Sequence, residues 1–352
     1  MPETQVFAVD PSHPDPAAIT TAAETLRRGG LVAFPTETVY GLGANATDSA
    51  AVSRIFEAKG RPASDPLIVH IASSDVLESV ARDIPPLAQA LAAAFWPGPL
   101  TLVLPRHPNI PANVSAGMDT VAVRMPRHPV ALALLSAAGL PIAAPSANTF
   151  SRPSATTAAH VYEDLGGWID IILDGGATPI GLESTVLDLT GETPLVLRPG
   201  GITLEQLERY IPNIQVKPRF LTTDTAASSP GQSIRHYAPR APMFLFTGSD
   251  RARILAQMRS NAETLSARGQ RVGILAADEE QATFSGLDAT IIALGSLENL
   301  AEIGANLFAR IREIDAQGVE VILVRAFGRE GLGIAIWDRL VRAAEGRIIE
   351  VD

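Results

Sequence analysis

Leu31-Val32-Ala33-Phe34-Pro35-Thr36-Glu37-Thr38-Val39-Tyr40-Gly41-Leu42-Gly43 takes a short apolar strand straight into a loop of hydroxyls and one carboxylate. Upstream, Asp15-Pro16 reads as an N-cap with proline at the first helical position, and Gly29-Gly30 as the matching stop. A helix over 16–28 therefore feeds a strand over 31–34. Downstream, a second helix starts at Asp48, buries Val52, Ile55 and Phe56 at helical spacing, and stops at Gly60. Lys59 is left in the last turn, where the helix dipole favours a cation.

The alternation continues outward. Strand 67–71 is followed by a helix over 85–95, ended by Trp96-Pro97-Gly98-Pro99, and by strand 100–104. Strand 120–125, helix 129–138, strand 140–144 and helix 155–165 come next, and the pattern then turns to strands over 169–173, 184–189 and 195–197. This order predicts a mixed α/β sheet domain over 1–211. Residues 212–241 read as a linker, with Thr222 to Gly231 linker-like in composition. Arg235-His236-Tyr237 is too polar and aromatic for a pure spacer, which suggests that the linker docks on something. Beyond it, strands 243–246, 272–276, 290–294 and 319–325 alternate with helices near 250–268, 297–316 and 332–345. A smaller, parallel, Rossmann-like α/β domain over 242–352 is expected.

Composition sets outer limits. A chain of 352 residues with 46% hydrophobic content exceeds one ordinary core and agrees with two domains. Cysteine is absent, which excludes disulfides, thiolate zinc sites and cysteine nucleophiles. The N-terminus has no basic residue followed by an apolar core, and no apolar run approaches the ~20 residues that span a bilayer. No membrane association and a cytoplasmic location are the expectation. Net charge is −10, with 38 acidic against 28 basic residues, so strong direct nucleic-acid binding is not expected and any anion site must be local.

Candidate local sites are few. Lys59-Gly60-Arg61 and Ser146-Ala147-Asn148 put two cations beside hydroxyl and amide donors, a set suited to a nucleotide's phosphates. Neither a Walker loop nor a Gly-x-Gly-x-x-Gly turn occurs, and nothing resembles a nucleophile with an activating base. Each piece also has a plain structural reading: Pro35 to Thr38 as turn and cap, Lys59 and Arg61 as solvated surface, Ser146 and Asn148 as a helix cap, and His70 as a core histidine. The Glu183-Ser184-Thr185 turn and Arg198 before Pro199-Gly200-Gly201 read as loops on the same basis. Arg124 interrupts the apolar strand Val121-Ala122-Val123, and a buried guanidinium there needs a carboxylate or phosphate partner.

Together these stretches resemble the YrdC-like threonylcarbamoyl-AMP synthases (Sua/YciO/YrdC family). The matching segments run from Phe34 to Leu42, through Lys59-Gly60-Arg61-Pro62, Pro66 to His70 and Trp96 to Thr101, then Val123-Arg124-Met125-Pro126, Ala144 to Asn148, Glu183 to Val186 and Leu197 to Gly200. They keep the family order over nearly all of residues 14–211. The second domain and an Arg-His-Tyr-x-Pro element at 235–239 resemble the long, two-domain form.

The resemblance implies an open, twisted α/β sheet with a charged cavity. It implies a nucleotidyltransferase that turns L-threonine, bicarbonate and ATP, with Mg²⁺ carried mainly by the ATP, into threonylcarbamoyl-AMP and pyrophosphate. The product would supply threonylcarbamoyladenosine in tRNA through a separate downstream transferase complex. By motif match, Lys59, Arg61, Ser146 and Asn148 correspond to the family's catalytic nucleotide-binding tetrad. Thr38, His70, Arg124, the Ala144 backbone and Ser184 would hold threonine. Asp65, Thr120, Ser154 and Arg198 would be further ATP contacts, with Tyr237 closing over the adenylate. The chain departs from the family at Ile234, which lacks a hydroxyl, and at Asp65, where asparagine or lysine is usual.

Other readings stand beside this one. A hydrogenase-maturation carbamoyltransferase of related fold is longer and carries cysteine zinc fingers, which a chain without cysteine cannot form. An RNA-binding module would show salt-dependent RNA binding without ATP turnover. An inactive nucleotide-binding relative is disfavoured by the complete Lys-x-Arg and Ser-x-Asn pairs.

Overall fold

The computed structural model describes residues 3–216 and 236–352. Residues 217–235, including most of the expected lid with Ile234 and Arg235, lie outside the described residues. The described residues form two compact units. The first takes in 3–150, 154–179 and 183–216, and the second 151–153, 180–182 and 236–352.

In the first unit the chain runs β1 (Gln5–Ala8), α1 (Pro16–Arg27), β2 (Val32–Phe34), β3 (Gly41–Asn45), α2 (Ser49–Lys59), β4 (Ile68–His70), α3 (Pro86–Phe95), β5 (Leu100–Pro105) and β6 (Thr120–Arg124). It continues through α4 (Pro129–Ala138), β7 (Ile142–Ala143), α5 (Ala158–Leu165), β8 (Ile171–Asp174), β9 (Thr185–Asp188), β10 (Leu195–Arg198), α6 (Leu204–Glu208) and β11 (Gln215–Val216). Helix ends follow local chemistry. Asp15 accepts from the Ala17 and Ala18 amides, and Asp48 from those of Ala50 and Ala51. Gly60 ends α2 in the left-handed region at φ 61°, a conformation glycine adopts without a side-chain penalty. The Thr157 hydroxyl accepts from the His160 amide, which starts α5 at Ala158 rather than at the expected 155.

The strands join in the order β1-β8-β2-β3-β7-β4-β6-β5-β9-β10-β11. Pairing is mixed: β4 lies parallel to β6, for example, while β5 and β7 run antiparallel to their β6 and β4 neighbours. In-register partners share a face of a pleated sheet, and successive residues alternate faces. Val69, Leu102, Leu104, Val121, Val123, Leu187 and Val196 therefore point one way, into the main core with α2, α3 and α5. The opposite face divides. Val32, Phe34, Ile142 and Ala144 pack under α1 and α4, whereas Ile68, Val103, Ala122, Val186 and Leu197 form a small cluster of strand residues alone. That second half of the face also carries His70, Thr120 and Arg124.

The second unit runs β12 (Met243–Thr247), α7 (Arg251–Ala267), β13 (Val272–Ala276), β14 (Ala289–Ala293), α8 (Leu300–Ala316), β15 (Val321–Arg325), α9 (Leu332–Ala343) and β16 (Ile348–Glu350). Its sheet, ordered β14-β13-β15-β12-β16, is parallel throughout. Ile254, Leu255 and Met258 of α7 pack with Val272, Ile274, Val321 and Leu323. Gly273 faces the other way, towards Ile314 of α8. Helices thus cover both faces, as the strand and helix alternation led one to expect. Among the described residues no helix is long and apolar enough to cross a membrane.

Candidate active site

β4 and β6 are parallel neighbours, and their register sets His70 directly beside Arg124 at the C-terminal end of both strands. The β2–β3 loop reaches the same place. Within it the Thr36 hydroxyl bonds the Val39 carbonyl at 2.6 Å and the Thr38 hydroxyl at 2.8 Å, which stiffens the turn. Glu37 and Thr38 then face Arg124. Its Nη1 donates to Thr38 Oγ1 at 2.9 Å, its Nε to the Gly98 carbonyl at 3.2 Å, and its Nη2 lies 2.7 Å from Glu37 Oε2. The carboxylate partner that a strand-buried arginine requires is therefore Glu37.

His70 is buried, with Nδ1 3.3 Å from the Ile68 carbonyl. Burial, and then the Arg124 charge, pull its pKa down to about 3, so the ring is neutral near pH 7. A neutral ring that donates from Nδ1 keeps its lone pair on Nε2. Ala144, just beyond β7, donates its amide to the Ile68 carbonyl at 2.9 Å and so lies alongside β4.

From the far side come β9 and β10. Ser184 Oγ lies 2.7 Å from Thr101 Oγ1, and Arg198 Nη2 reaches both the Ser184 hydroxyl (3.2 Å) and its carbonyl (3.1 Å). Gly200 makes this approach possible. A Cβ there would fall 2.2 Å from the Glu183 carbonyl oxygen and 2.5 Å from the Thr185 nitrogen. Ser154 hydrogen-bonds Glu183 Oε1 at 2.6 Å. Thr120 starts β6, on the same face as Arg124 with Ala122 between them.

Lys59, Ser146 and Asn148 form a second group. The buried Lys59 ammonium donates to the Ser146 and Asn148 carbonyls, and its own carbonyl accepts from the Phe150 amide at 2.8 Å. The last turn of α2 and the loop after β7 are thereby tied at both ends of one lysine. Arg61, two residues on, meets Asp65 Oδ2 at 2.9 Å and the Pro66 carbonyl at 2.8 Å. The unusual acid at 65 thus has a guanidinium against it. Tyr237 belongs to the second unit, where its buried ring packs 5.0 Å from Phe308 and 4.0 Å from His236, centroid to centroid.

Among the described residues no group of three or more His, Asp or Glu side chains is arranged to hold a metal ion. Glu37 and Asp65 each face an arginine instead. The motifs of the sequence assign no role to Glu37, Thr101, Glu183 or His128. A signal existed for the first: Arg124 called for an acid, and Glu37 is the carboxylate of the loop after β2. His128 precedes α4 with a buried Nδ1 that has no hydrogen-bond partner among the described residues. Burial pushes its pKa down, and the nearby Glu37 charge pushes it back up.

The family description "Telomere recombination" (the Sua5/YciO/YrdC model) matches residues 24–200, and "Threonylcarbamoyl-AMP synthase, C-terminal domain" matches residues 202–345. Threonylcarbamoyl-AMP synthase of Pyrococcus abyssi is 48% identical over 335 residues, covering 95% of this chain and 96% of the relative. The chain belongs to the threonylcarbamoyl-AMP synthase family. A second family member, from Bacillus subtilis, is 46% identical over 333 residues, 94% of each chain. Among solved structures, P. abyssi Sua5 complexed with L-threonine superposes with a TM-score of 0.93 at 46% identity, covering 99% of this chain and 100% of that one. The likeness extends through both units.

Proposed function

We propose that this chain condenses L-threonine, bicarbonate and MgATP into threonylcarbamoyl-AMP and pyrophosphate, for transfer by a separate complex to adenosine in tRNA. Family membership over almost the whole length supports the reading. The structural observation that carries it is the convergence of Arg124, neutral His70, Thr38 and the Ser184–Arg198 pair on one end of the sheet.

The chemistry follows from those groups. Threonine's α-amine, once deprotonated, attacks the bicarbonate carbon, forming a C–N bond and releasing water overall. An oxygen of the resulting carbamate attacks the α-phosphorus, and the bond to pyrophosphate breaks. Both reacting partners are anionic at that second step, so charge compensation and alignment dominate over covalent catalysis. Arg124 suits the threonine carboxylate, and neutral His70, Thr38, the Ala144 backbone and Ser184 would surround the rest of the amino acid. Lys59, Arg61, Ser146 and Asn148 would face the triphosphate, with Asp65, Thr120, Ser154 and Arg198 as further nucleotide contacts. Magnesium would enter with the ATP as part of the substrate and would offset part of the phosphate charge.

The test is pyrophosphate release by the purified chain with MgATP and bicarbonate, with and without L-threonine. Threonine-dependent release together with a new adenylate is the expected result. Release that ignores threonine, or none at all, overturns the reading.

A further inference from the structure

Glu37 holds an unusual position for a carboxylate. It is buried, it touches Arg124 at 2.7 Å, and yet among the described residues neither of its oxygens accepts a hydrogen bond. The contact has the distance of an ion pair without the alignment of a hydrogen bond. A buried acceptor left in this state is unfavourable, the more so when charged. Arg124 for its part is steered by Thr38 and by the Gly98 carbonyl.

A neighbouring positive and negative group, both buried, is the electrostatic complement of a zwitterion. On the proposed reaction, from which this argument follows, the substrate is an α-amino acid whose carboxylate suits Arg124. Its ammonium carries donors and a positive charge, and needs an acceptor on the same side of the pocket. Neutral His70 offers no negative charge, and Asp65 lies against Arg61. We propose that Glu37 is a specificity-determining residue of the amino-acid site, receiving the α-ammonium of threonine while Arg124 receives its carboxylate. The arrangement selects against hydroxy acids and N-blocked amino acids, and it holds the amine, the atom that must form the new bond, in a fixed direction.

The test compares two ligands on the full chain by isothermal titration calorimetry without ATP. L-threonine is one; 2,3-dihydroxybutanoate, with a hydroxyl in place of the amine, is the other. The wild type is expected to prefer threonine, and Glu37→Gln to weaken threonine by about tenfold or more while changing dihydroxybutanoate less than about twofold. Glu37→Asp should restore part of the preference. Equal losses for both ligands would mean that Glu37 only holds Arg124, and would overturn the proposal. If Glu37→Gln fails to fold, as checked by thermal melting, the wild-type preference and Glu37→Asp decide: similar affinity for both ligands, or an Asp variant that weakens both equally, overturns it as well. A wild type that binds dihydroxybutanoate and threonine equally sinks this assignment alone, whereas one that binds neither sinks the reaction on which it rests.

Discussion

Two buried arginine–glutamate pairs, one in each unit, sit at the C-terminal ends of strands and differ in how completely they are closed. In the second unit Arg325 ends β15 and grips Glu280: Nε reaches both carboxylate oxygens, at 2.7 and 2.9 Å, and Nη2 lies 2.6 Å from Oε1. The guanidinium also lies 4.7 Å from the Phe327 ring centroid. In the first unit Arg124 ends β6 and meets Glu37 at a single contact, its other nitrogens going to a hydroxyl and a carbonyl. A fork that satisfies both oxygens leaves little for a ligand to gain. A pair held by one unaligned contact keeps both charges ready for exchange with a charged ligand.

The two pairs should respond differently when each loses its arginine. Arg325→Met leaves Glu280 buried without its cation and should lower stability by about 3–5 kcal/mol in denaturant unfolding. Activity per folded molecule should be kept, and Glu280→Leu added to Arg325→Met should recover most of the loss. Arg124→Met should instead cost about 100-fold or more in kcat/KM for threonine, much of it as raised KM. A stability loss as large as that of Arg325→Met, with no selective effect on threonine, would erase the distinction.

Lys59→Ala should likewise lower activity by about 100-fold or more, because it removes both the cation proposed to face the triphosphate and the tie to the Ser146–Asn148 loop. Here kcat and the ATP dependence should suffer, with threonine binding less affected. A loss confined to threonine KM would contradict the division between the two groups of residues.

His70, beside Arg124, makes the first-unit site sensitive to pH. Its folded pKa, about 3, lies below the ordinary 6.5, so the unfolded chain takes up the proton first. The contribution to stability is fully present above about pH 6.5 and is lost progressively as pH falls towards 3. Between pH 6.5 and 5 the loss attributable to His70 should be about 2 kcal/mol, and His70→Gln should flatten that part of the acid limb in pH-dependent melts. An unchanged acid limb would show that the ring is not kept neutral by its surroundings.

The smallest effect is expected at Thr101→Val, which removes the 2.7 Å partner of the Ser184 hydroxyl. About 1 kcal/mol of stability and less than a tenfold rise in threonine KM should follow. A change in the ATP dependence instead would move Ser184 to the nucleotide side.

Legibility differed along the chain. The ends of α1 and α2 were readable because Asp15, Pro16, Asp48 and Gly60 act within one turn of themselves. β3 is not legible as a strand in the sequence, since Gly41-Leu42-Gly43 has little strand propensity. It becomes a strand because β2 and β7 flank it, and Gly43 leaves room for the Phe34 and Ile142 side chains. β1, only partly buried, and β16 are strands for a similar reason: their hydrogen bonds come from β8 and β12. In the site, the need of Arg124 for an acid could be read from its apolar strand. The state of that acid could not, because hydrogen-bond alignment is a property of side chains brought together from distant segments.

Sequence alone determined the alternating α/β order, the helix limits set by local caps, and the motifs by which the family is recognised. All of these depend on residues a few positions apart or on matched patterns. Long-range packing sets which face of the sheet carries His70 and Arg124, holds Lys59 on the Ser146 and Asn148 carbonyls, and leaves Glu37 a buried acceptor with spare capacity. Strand register and burial settle such questions, and both arise from contacts between segments far apart in the chain.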